Sequence, residues 1–479
     1  MNRLVALIAL LLSAFAAQAA DKPNIIFIMA DDLGYTDMGC YGSSYYETPN
    51  IDRLAKEGMK FTSGYTTSPN CQPTRAALMS GQYGPRTGVY TVGNIERFNW
   101  RSRPLRPVKN VPDLPLDNLT FAQSLKQVGY RTAMFGKWHL GNHGAHHPSQ
   151  RGFDEAIESS GKHFDFETDP KTDYPKGTYL ADFLTDKATD FIRRNKDEPF
   201  FLYLPHFGVH SPIQAKPELI AKFRKKQPAG GHHDPVYAAM IASVDESVGR
   251  ILALLDELKI SKNTLVVFTS DNGGVGGYVR EGVKKGKDLT DNSPLRGGKG
   301  MLYEGGIRVP YIFRWPGKIA ANTTCDEPIN SVDFFPTVLD ISGAKRPDNY
   351  ILDGVNYTKL LKTKDGKGIL KRDALYWHFP GALGAPDNLW RTLPVGVIRS
   401  GDWKLMEFFE DGRLELYNLR NDIGETKNLA SAEPKKAKEL HKKLLAWRKE
   451  IKAPMPQPHS ESEEKINETP KNKKKNKAA

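Results

Sequence analysis

Unbroken apolar runs alternate along this chain with amphipathic ones. Asn24–Met29 is apolar after its first residue and closes on Ala30-Asp31-Asp32. A short run without alternation predicts a strand buried on both faces of a parallel sheet. The same grammar recurs at Arg131–Phe135, which ends in Gly136-Lys137-Trp138-His139. It recurs again at Phe200–Leu204, before Pro205-His206 and His210, and at Thr264–Thr269, before Ser270-Asp271-Asn272-Gly273-Gly274. Between these runs lie helical patterns. Ile51–Glu57 stops at Gly58. Thr120 and Gln123 have capping-box spacing and open a helix that stops at Gly129. Tyr179–Asn195 and Val236–Leu258 are longer amphipathic stretches. Strands alternating with helices predict an α/β sheet with helices on both faces.

After about Leu375 the pattern shortens. Ala374–Phe379, Val395–Arg399, Trp403–Phe409 and Arg413–Leu419 read as short strands, with tight turns at Gly401-Asp402 and Asp411-Gly412. A basic helix, Pro434–Lys449, follows. The expected organisation is a leader over 1–19, an α/β catalytic domain over 20–372 and a smaller α+β subdomain over 373–452. A Pro- and Lys-rich tail over 453–479 is too poor in apolar residues to fold.

Composition narrows the class. At 479 residues the chain exceeds one ordinary core. Three cysteines (Cys40, Cys71, Cys325) exclude a disulfide scaffold and a Cys-rich metal protein. The net charge of +12 favours an anionic partner, but it is diffuse, and no motif points to nucleic acid. Arg3, the apolar run Leu4–Ala17 and Ala17-Gln18-Ala19 have the layout of a cleaved export signal, with cleavage near Ala19/Ala20. That run is short for a bilayer span and no other apolar run reaches the length of one, so no membrane anchor is expected. The product is expected to be periplasmic or secreted.

Polar residues follow the carboxyl ends of all four predicted strands, the edge at which open α/β sheets bind ligands. Asp31, Asp32, Asp271 and Asn272 offer oxygen donors only. Carboxylates brought together either hold a hard divalent cation or pair with Lys and Arg, and the residues alone leave both readings open. Cys71, in a turn before a helix expected over Thr74–Met79, has Arg75 within reach. It is either a reactive thiol or a small buried residue. Gly273-Gly274 with Gly276-Gly277 resembles a phosphate loop but lacks the Gly-Lys-Ser/Thr, which favours a flexible turn beside the acidic residues.

Cys71-x-Pro73-x-Arg75, with Ser80-Gly81 after it, resembles the maturation signature of the type I, formylglycine-dependent sulfatases. Further blocks match in order: Ile28–Gly34, Gly136–Gly141, His210-Ser211-Pro212, Thr269–Gly273, Arg296–Gly300 with Glu304–Pro310, and Leu416–Leu419 with Glu425 and Asn428-Leu429. The resemblance implies the alkaline phosphatase-like fold, a large mixed, mostly parallel sheet, with a small C-terminal antiparallel sheet and one helix. It implies that a formylglycine-generating maturation enzyme oxidises Cys71, and that the hydrated aldehyde attacks a sulfate ester to give a covalent sulfo-enzyme. Asp31, Asp32, Asp271, Asn272 and residue 71 would hold one Ca²⁺. Arg75 and His139 would hold the nucleophile, with His139 later taking a proton. Lys137 and Lys299 would bind sulfate oxygens, and His210 would protonate the leaving alcohol.

A sulfated carbohydrate is the expected substrate. Other readings stay open: a phosphonate or phosphate ester hydrolase of the same superfamily, or a non-catalytic protein that binds sulfated polysaccharide. Specificity is expected in loops 143–149, 94–105 and 381–389. His378 is a further candidate for substrate contact, whereas His143, His146 and His147 read as surface or pocket residues. Cys40 and Cys325 have no evident reason to pair.

Overall fold

The computed structural model describes residues 22–385 and 389–459. The leader and residues 460–479 of the expected tail lie outside them. The four predicted strands form: β1 (Asn24–Ala30), β3 (Arg131–Gly136), β5 (Phe200–Pro205) and β6 (Thr264–Ser270). Short strands join them at β2 (Met59–Phe61), β4 (Glu155–Glu158), β7 (Tyr311–Arg314) and β8 (Thr323–Cys325). The sequence pattern did not predict these, because two to four apolar residues are too few to set a period. The sheet order is β8-β2-β7-β6-β1-β5-β3-β4. It is mixed because β7 runs antiparallel to both its neighbours.

Alternate residues of β1 reach opposite cores. Ile26, Ile28 and Ala30 join one cluster with helices α4 (Leu180–Arg194) and α5 (Pro235–Glu257). Ile25, Phe27 and Met29 join the other with α2 (Cys71–Ser80), α3 (Phe121–Gln127) and α6 (Phe334–Ser342). A strand covered on both faces must be apolar at every position, which is why β1, β5 and β6 lack alternation. Helix α1 (Pro49–Lys56) starts two residues ahead of expectation at Pro49, a favoured first helical residue. The Thr120–Gln123 capping box of α3 forms as expected.

The C-terminal strands β9 (Leu375–Phe379), β10 (Val395–Ser400), β11 (Trp403–Phe408) and β12 (Leu414–Asn418) form an antiparallel meander in that order. Helix α7 (Pro434–Glu450) covers one face through Leu440, Leu444 and Trp447. The other face packs Trp377, Val397 and Met406 against Tyr65, Leu302 and Ile307 of the large domain. The start of the expected tail departs from prediction. Gln457–Pro458 pairs with Leu105–Arg106, and Pro454 O accepts from His378 Nε2 at 2.7 Å. The chain is therefore docked through His459, because backbone pairing supplies what composition does not.

Candidate functional site

Strands β6, β1, β5 and β3 are contiguous and parallel in the sheet. Their carboxyl ends therefore share one edge. Asp271-Asn272, Asp31-Asp32, His206–His210 and Lys137–His139 follow them directly. Backbone bonds continue the ladder past the strand ends: Asp31 N–H donates to Gly208 O at 2.9 Å and Lys137 N–H to Pro205 O at 2.8 Å. Asp32 and His139 sit at φ +67° and +63°, a left-handed conformation that non-glycine residues adopt at a cost.

Cys71 is the first residue of α2 rather than part of a preceding turn, so the helix begins three residues before the expected Thr74. Asn70 is extended and leaves the first helical N–H groups uncapped by its side chain, which bonds Thr91 Oγ1. Every residue of this helix is buried. One turn on, Arg75 donates through Nε and Nη2 to Asp271 Oδ2, at 2.9 and 2.7 Å, and through Nη1 to Lys137 O at 2.6 Å.

The site is a buried ionic cluster. Lys137 Nζ lies 2.6 Å from Asp31 Oδ2, and Lys299 Nζ lies 2.7 Å from Asp32 Oδ2. Asn272 Nδ2 donates to Asp32 Oδ1 at 2.8 Å and to Gly273 O at 3.0 Å, which fixes the amide and turns its oxygen away. Burial pushes the Asp31 carboxyl up, but Lys137, His210, Arg75 and Lys299 outweigh it and hold the group well below the carboxylate range. Burial, and then the neighbouring Asp31, pushes Asp271 up to about 6. Burial pushes the Cys71 thiol up as well. Burial, with Lys137 and Arg75 nearby, holds His139 well below its ordinary value, so the ring is neutral at pH 7.

The acidic residues thus pair with Lys and Arg, yet the pairing is incomplete. Asp31 Oδ1 and Asn272 Oδ1 are buried without a hydrogen-bond partner. Ligating atoms of Asp31, Cys71 and Asp271 lie within 4.8 Å of one another, as do those of Asp31, Asp32 and His210. Orphaned oxygens among hard donors fit a divalent cation such as Ca²⁺.

Above the cluster opens a cavity of about 450 Å³. Cys71, Lys137, His139, His210 and Lys299 line it. His210 Nδ1 lies 2.7 Å from Ser211 O, and a carbonyl only accepts, so Nδ1 carries the proton and Nε2 is the free position, 3.7 Å from Asp32 Oδ2. His206 is a structural residue: fully buried, bonded to Ser247 Oγ at 2.9 Å, its ring pushed down to about 4 by burial.

The chain carries a match to the family model described as Sulfatase over residues 23–344. It belongs to the sulfatase family, within the alkaline phosphatase superfamily. A second model, the C-terminal region of N-sulphoglucosamine sulphohydrolase, matches residues 298–450. A sulfatase of Formosa agariphila is 36% identical, over 90% of this chain and 89% of the relative. N-acetylgalactosamine-6-sulfatase of Rattus norvegicus is 34% identical, over 84% of this chain and 75% of the relative. The solved structure of Ps i-CgsB in complex with k-i-k-neocarrahexaose aligns with TM-score 0.75 at 31% identity, covering 93% and 96% of the two chains. This sulfatase is a sulfuric ester hydrolase, with the mixed sheet and small antiparallel sheet of its solved relatives.

The sulfatase cavity also contains residues with no motif. Arg97 and Phe98 come from loop 94–105, and Leu383 and Gly384 from loop 381–389, two of the loops expected to set specificity. Arg391, Glu158 and Phe207 also line it and were not anticipated. Loop 143–149 does not line it: His146 Nδ1 lies 3.1 Å from Leu114 O and His147 Nδ1 2.7 Å from Ser149 Oγ. His378 is placed elsewhere too, held by Pro454 O and packed between Tyr90 and Phe409. The glycine turn adjoins the cluster but is closely packed rather than loose. A Cβ at Gly273 would lie 1.8 Å from Gly305 O, and one at Gly298 would lie 2.1 Å from Gly276 O. That contact with residues 296–306 is what sets Lys299 beside Asp32. Cys40 and Cys325 are free thiols.

Proposed function

We propose that this sulfatase is exported and calcium-dependent, and that it hydrolyses a sulfate ester of a carbohydrate with residue 71, oxidised from cysteine to formylglycine, as nucleophile. The observation that carries the reading is the placement of Cys71, at the start of a buried helix, between the orphaned oxygens of the acidic cluster and an open cavity. Asp31, Asp32, Asp271 and Asn272 would hold Ca²⁺ together with residue 71; when bound, the ion would offset charge on oxygen. A formylglycine hydrate would supply a hydroxyl nucleophile at a position where a buried thiol is a poor one. Relatives named for sugar sulfates, and a related structure with a bound carrageenan oligosaccharide, support a carbohydrate substrate.

The remaining roles fall to side chains of this chain. Lys137 and Lys299 reach into the cavity from either side of Asp31 and Asp32, where a sulfate group would meet both ammonium groups. His210 Nε2, whose partner is Asp32, is the position from which a doubly protonated ring would pass a proton to the leaving alcohol, with Nδ1 keeping the proton it donates to Ser211 O. Neutral His139 is suited to take a proton when sulfate departs. Arg75 holds Asp271 and the Lys137 backbone, and so orients the carboxylate under residue 71. Residues 20–372 would form the catalytic domain and 373–452 a subdomain that completes the cavity wall.

The test begins with mass spectrometry on the peptide containing residue 71, from protein co-expressed with a formylglycine-generating enzyme. A mass lower by about 18 Da marks the aldehyde. Turnover of a panel of sulfated oligosaccharides should accompany it and vanish when the thiol is retained. An unconverted Cys71 in the presence of a competent maturase, with no sulfate released, would overturn the reading.

A further inference from the structure

We infer that the cavity holds a second anion subsite, formed by Arg97 and Arg391, and that the preferred substrate carries a further negative group beside the sulfate to be cleaved. This rests on the proposed sulfatase site and names its substrate more narrowly. The charges near the nucleophile are otherwise matched: Lys137 with Asp31, Lys299 with Asp32, Arg75 with Asp271. Arg97 and Arg391 line the same cavity, and among the described residues neither forms an ion pair with a carboxylate. Elsewhere in the chain, Arg103, Arg194, Arg296 and Arg314 each have one.

Neighbours hold both guanidinium groups where an anion would meet them. The Arg391 guanidinium carbon lies 4.9 Å from the centre of the Tyr278 ring, and the Tyr278 hydroxyl donates to Lys299 O at 2.8 Å. The Arg391 stem packs on Gly300, where a Cβ would lie 3.2 Å from Arg391 Cδ. Arg391 therefore sits one residue from a proposed sulfate-binding lysine. Arg97 ends a short helical turn, donates to Val92 O and lies over the Phe98 ring at 4.8 Å. Arg97 remains exposed to solvent; partial desolvation and the nearby charge of Arg391, against the pull of Cys71, bring its guanidinium below the ordinary value, and an anion between the two arginines would offset that. Guanidinium groups recognise carboxylate and sulfate in the same forked geometry. Beside Lys137 the wall carries a carboxyl, Glu158, which burial and then the neighbouring Asp169 push up against the opposing pull of Lys137, Arg75 and His143. The two guanidinium groups are near Lys299 and a carboxyl rather than a cation is near Lys137, so a substrate with a second anion would bind in one orientation.

The experiment compares kcat/KM of the mature enzyme on disaccharides that share one scissile sulfate. One has no other charge, one has a second sulfate and one has a uronate carboxylate. Wild type should favour a doubly charged substrate by about tenfold or more, and the two charged versions distinguish sulfate from carboxylate. Arg391→Gln and Arg97→Gln should each collapse that ratio towards one, and Arg391→Lys should restore part of it. A wild-type ratio near one, or a ratio untouched by both Gln variants, overturns the inference and leaves the sulfatase reading standing. If no sulfate ester is turned over, calorimetric binding of the same disaccharides to the Cys71→Ala protein decides the matter. Tighter binding of a doubly charged sugar, lost in the Gln variants, supports the subsite; equal binding overturns it.

Discussion

Two buried ionic clusters in this chain differ in one respect that separates working chemistry from structural glue. At the site, Asp31, Asp32 and Asp271 meet Lys137, Lys299 and Arg75 under an open cavity, with buried oxygens left over. At the seam between the domains, Lys404 Nζ lies between Glu304 Oε1 at 3.0 Å and Glu425 Oε1 at 2.8 Å. There Arg308 and Tyr65 close on Glu304 from the large domain, and Arg399 reaches Tyr65 from β10. Lys404, Glu304 and Glu425 are buried, and no cavity reaches them among those described. The seam binds a strand of the small sheet to the loop that ends in β7. In the seam Glu425 Oε1 also lacks a hydrogen bond, but it meets Lys404 at 2.8 Å and faces no described cavity, whereas the charges at the site border an open one and are held ready for something else.

The sharpest break between the clusters should be Cys71→Ala. Sulfate release should fall by at least about 10³-fold, with Tm within a degree or two of the Cys71 protein. Lys404→Ala should do the reverse. Removing one partner from a buried ionic group costs about 3–5 kcal/mol, so Tm and the denaturant midpoint should fall sharply. Any folded fraction should retain turnover, measured on protein first separated from aggregates. Added Ca²⁺ should raise Tm at saturation by an amount equivalent to about 2.7 kcal/mol at a hundredfold excess over Kd. The shift should persist in Glu425→Gln and disappear in an Asp31→Asn, Asp271→Asn double variant. An equal shift in the double variant would place the ion elsewhere.

A smaller effect follows from protonation at the seam. Burial, with Glu304 nearby, pushes Glu425 up to about 7. The folded group binds its proton more tightly than an unfolded glutamate at 4.5, so its contribution is full below pH 4.5 and is lost as pH rises through 7. Tm should fall over that window, and Glu425→Gln should flatten the slope. Burial pushes Glu304 up, but Lys404, Arg308 and Arg399 outweigh it and hold the group low, so its contribution is lost only below pH 4.5. The smallest expected change is His378→Ala. Its ring touches Pro454, Tyr90 and Phe409 rather than the cavity, so kcat/KM on a sulfated sugar should stay within about twofold.

The motifs at Asp31, Lys137, His210 and Asp271 were legible because each follows a strand whose apolar run is unmistakable, whereas Cys71 with Arg75, and Lys299, follow no such run and were assigned through the family pattern. Asp31-Asp32 after β1 and Asp271-Asn272 after β6 need only the rule that parallel strands end on one edge. Glu304, Arg308 and Glu425 were legible as members of a family pattern, but not as a seam, since nothing in a sequence says that Lys404 lies between them. Arg97 and Arg391 stand 294 positions apart in irregular or weakly patterned segments, and neither carries a motif.

The sequence by itself determined the sheet and its helices, the capping box of α3, the meander and the list of polar residues at the strand ends, because these depend on local periodicity and short-range capping. Only the tertiary structure decided which of those residues face the cavity. It turned His378 and the loop 143–149 histidines away and packed the glycine turn tightly against residues 296–306. It docked the chain through His459 and brought Arg391 of the small domain beside Lys299. Such outcomes depend on contacts between segments tens to hundreds of residues apart, where packing and charge pairing, rather than local preference, set the position of each side chain.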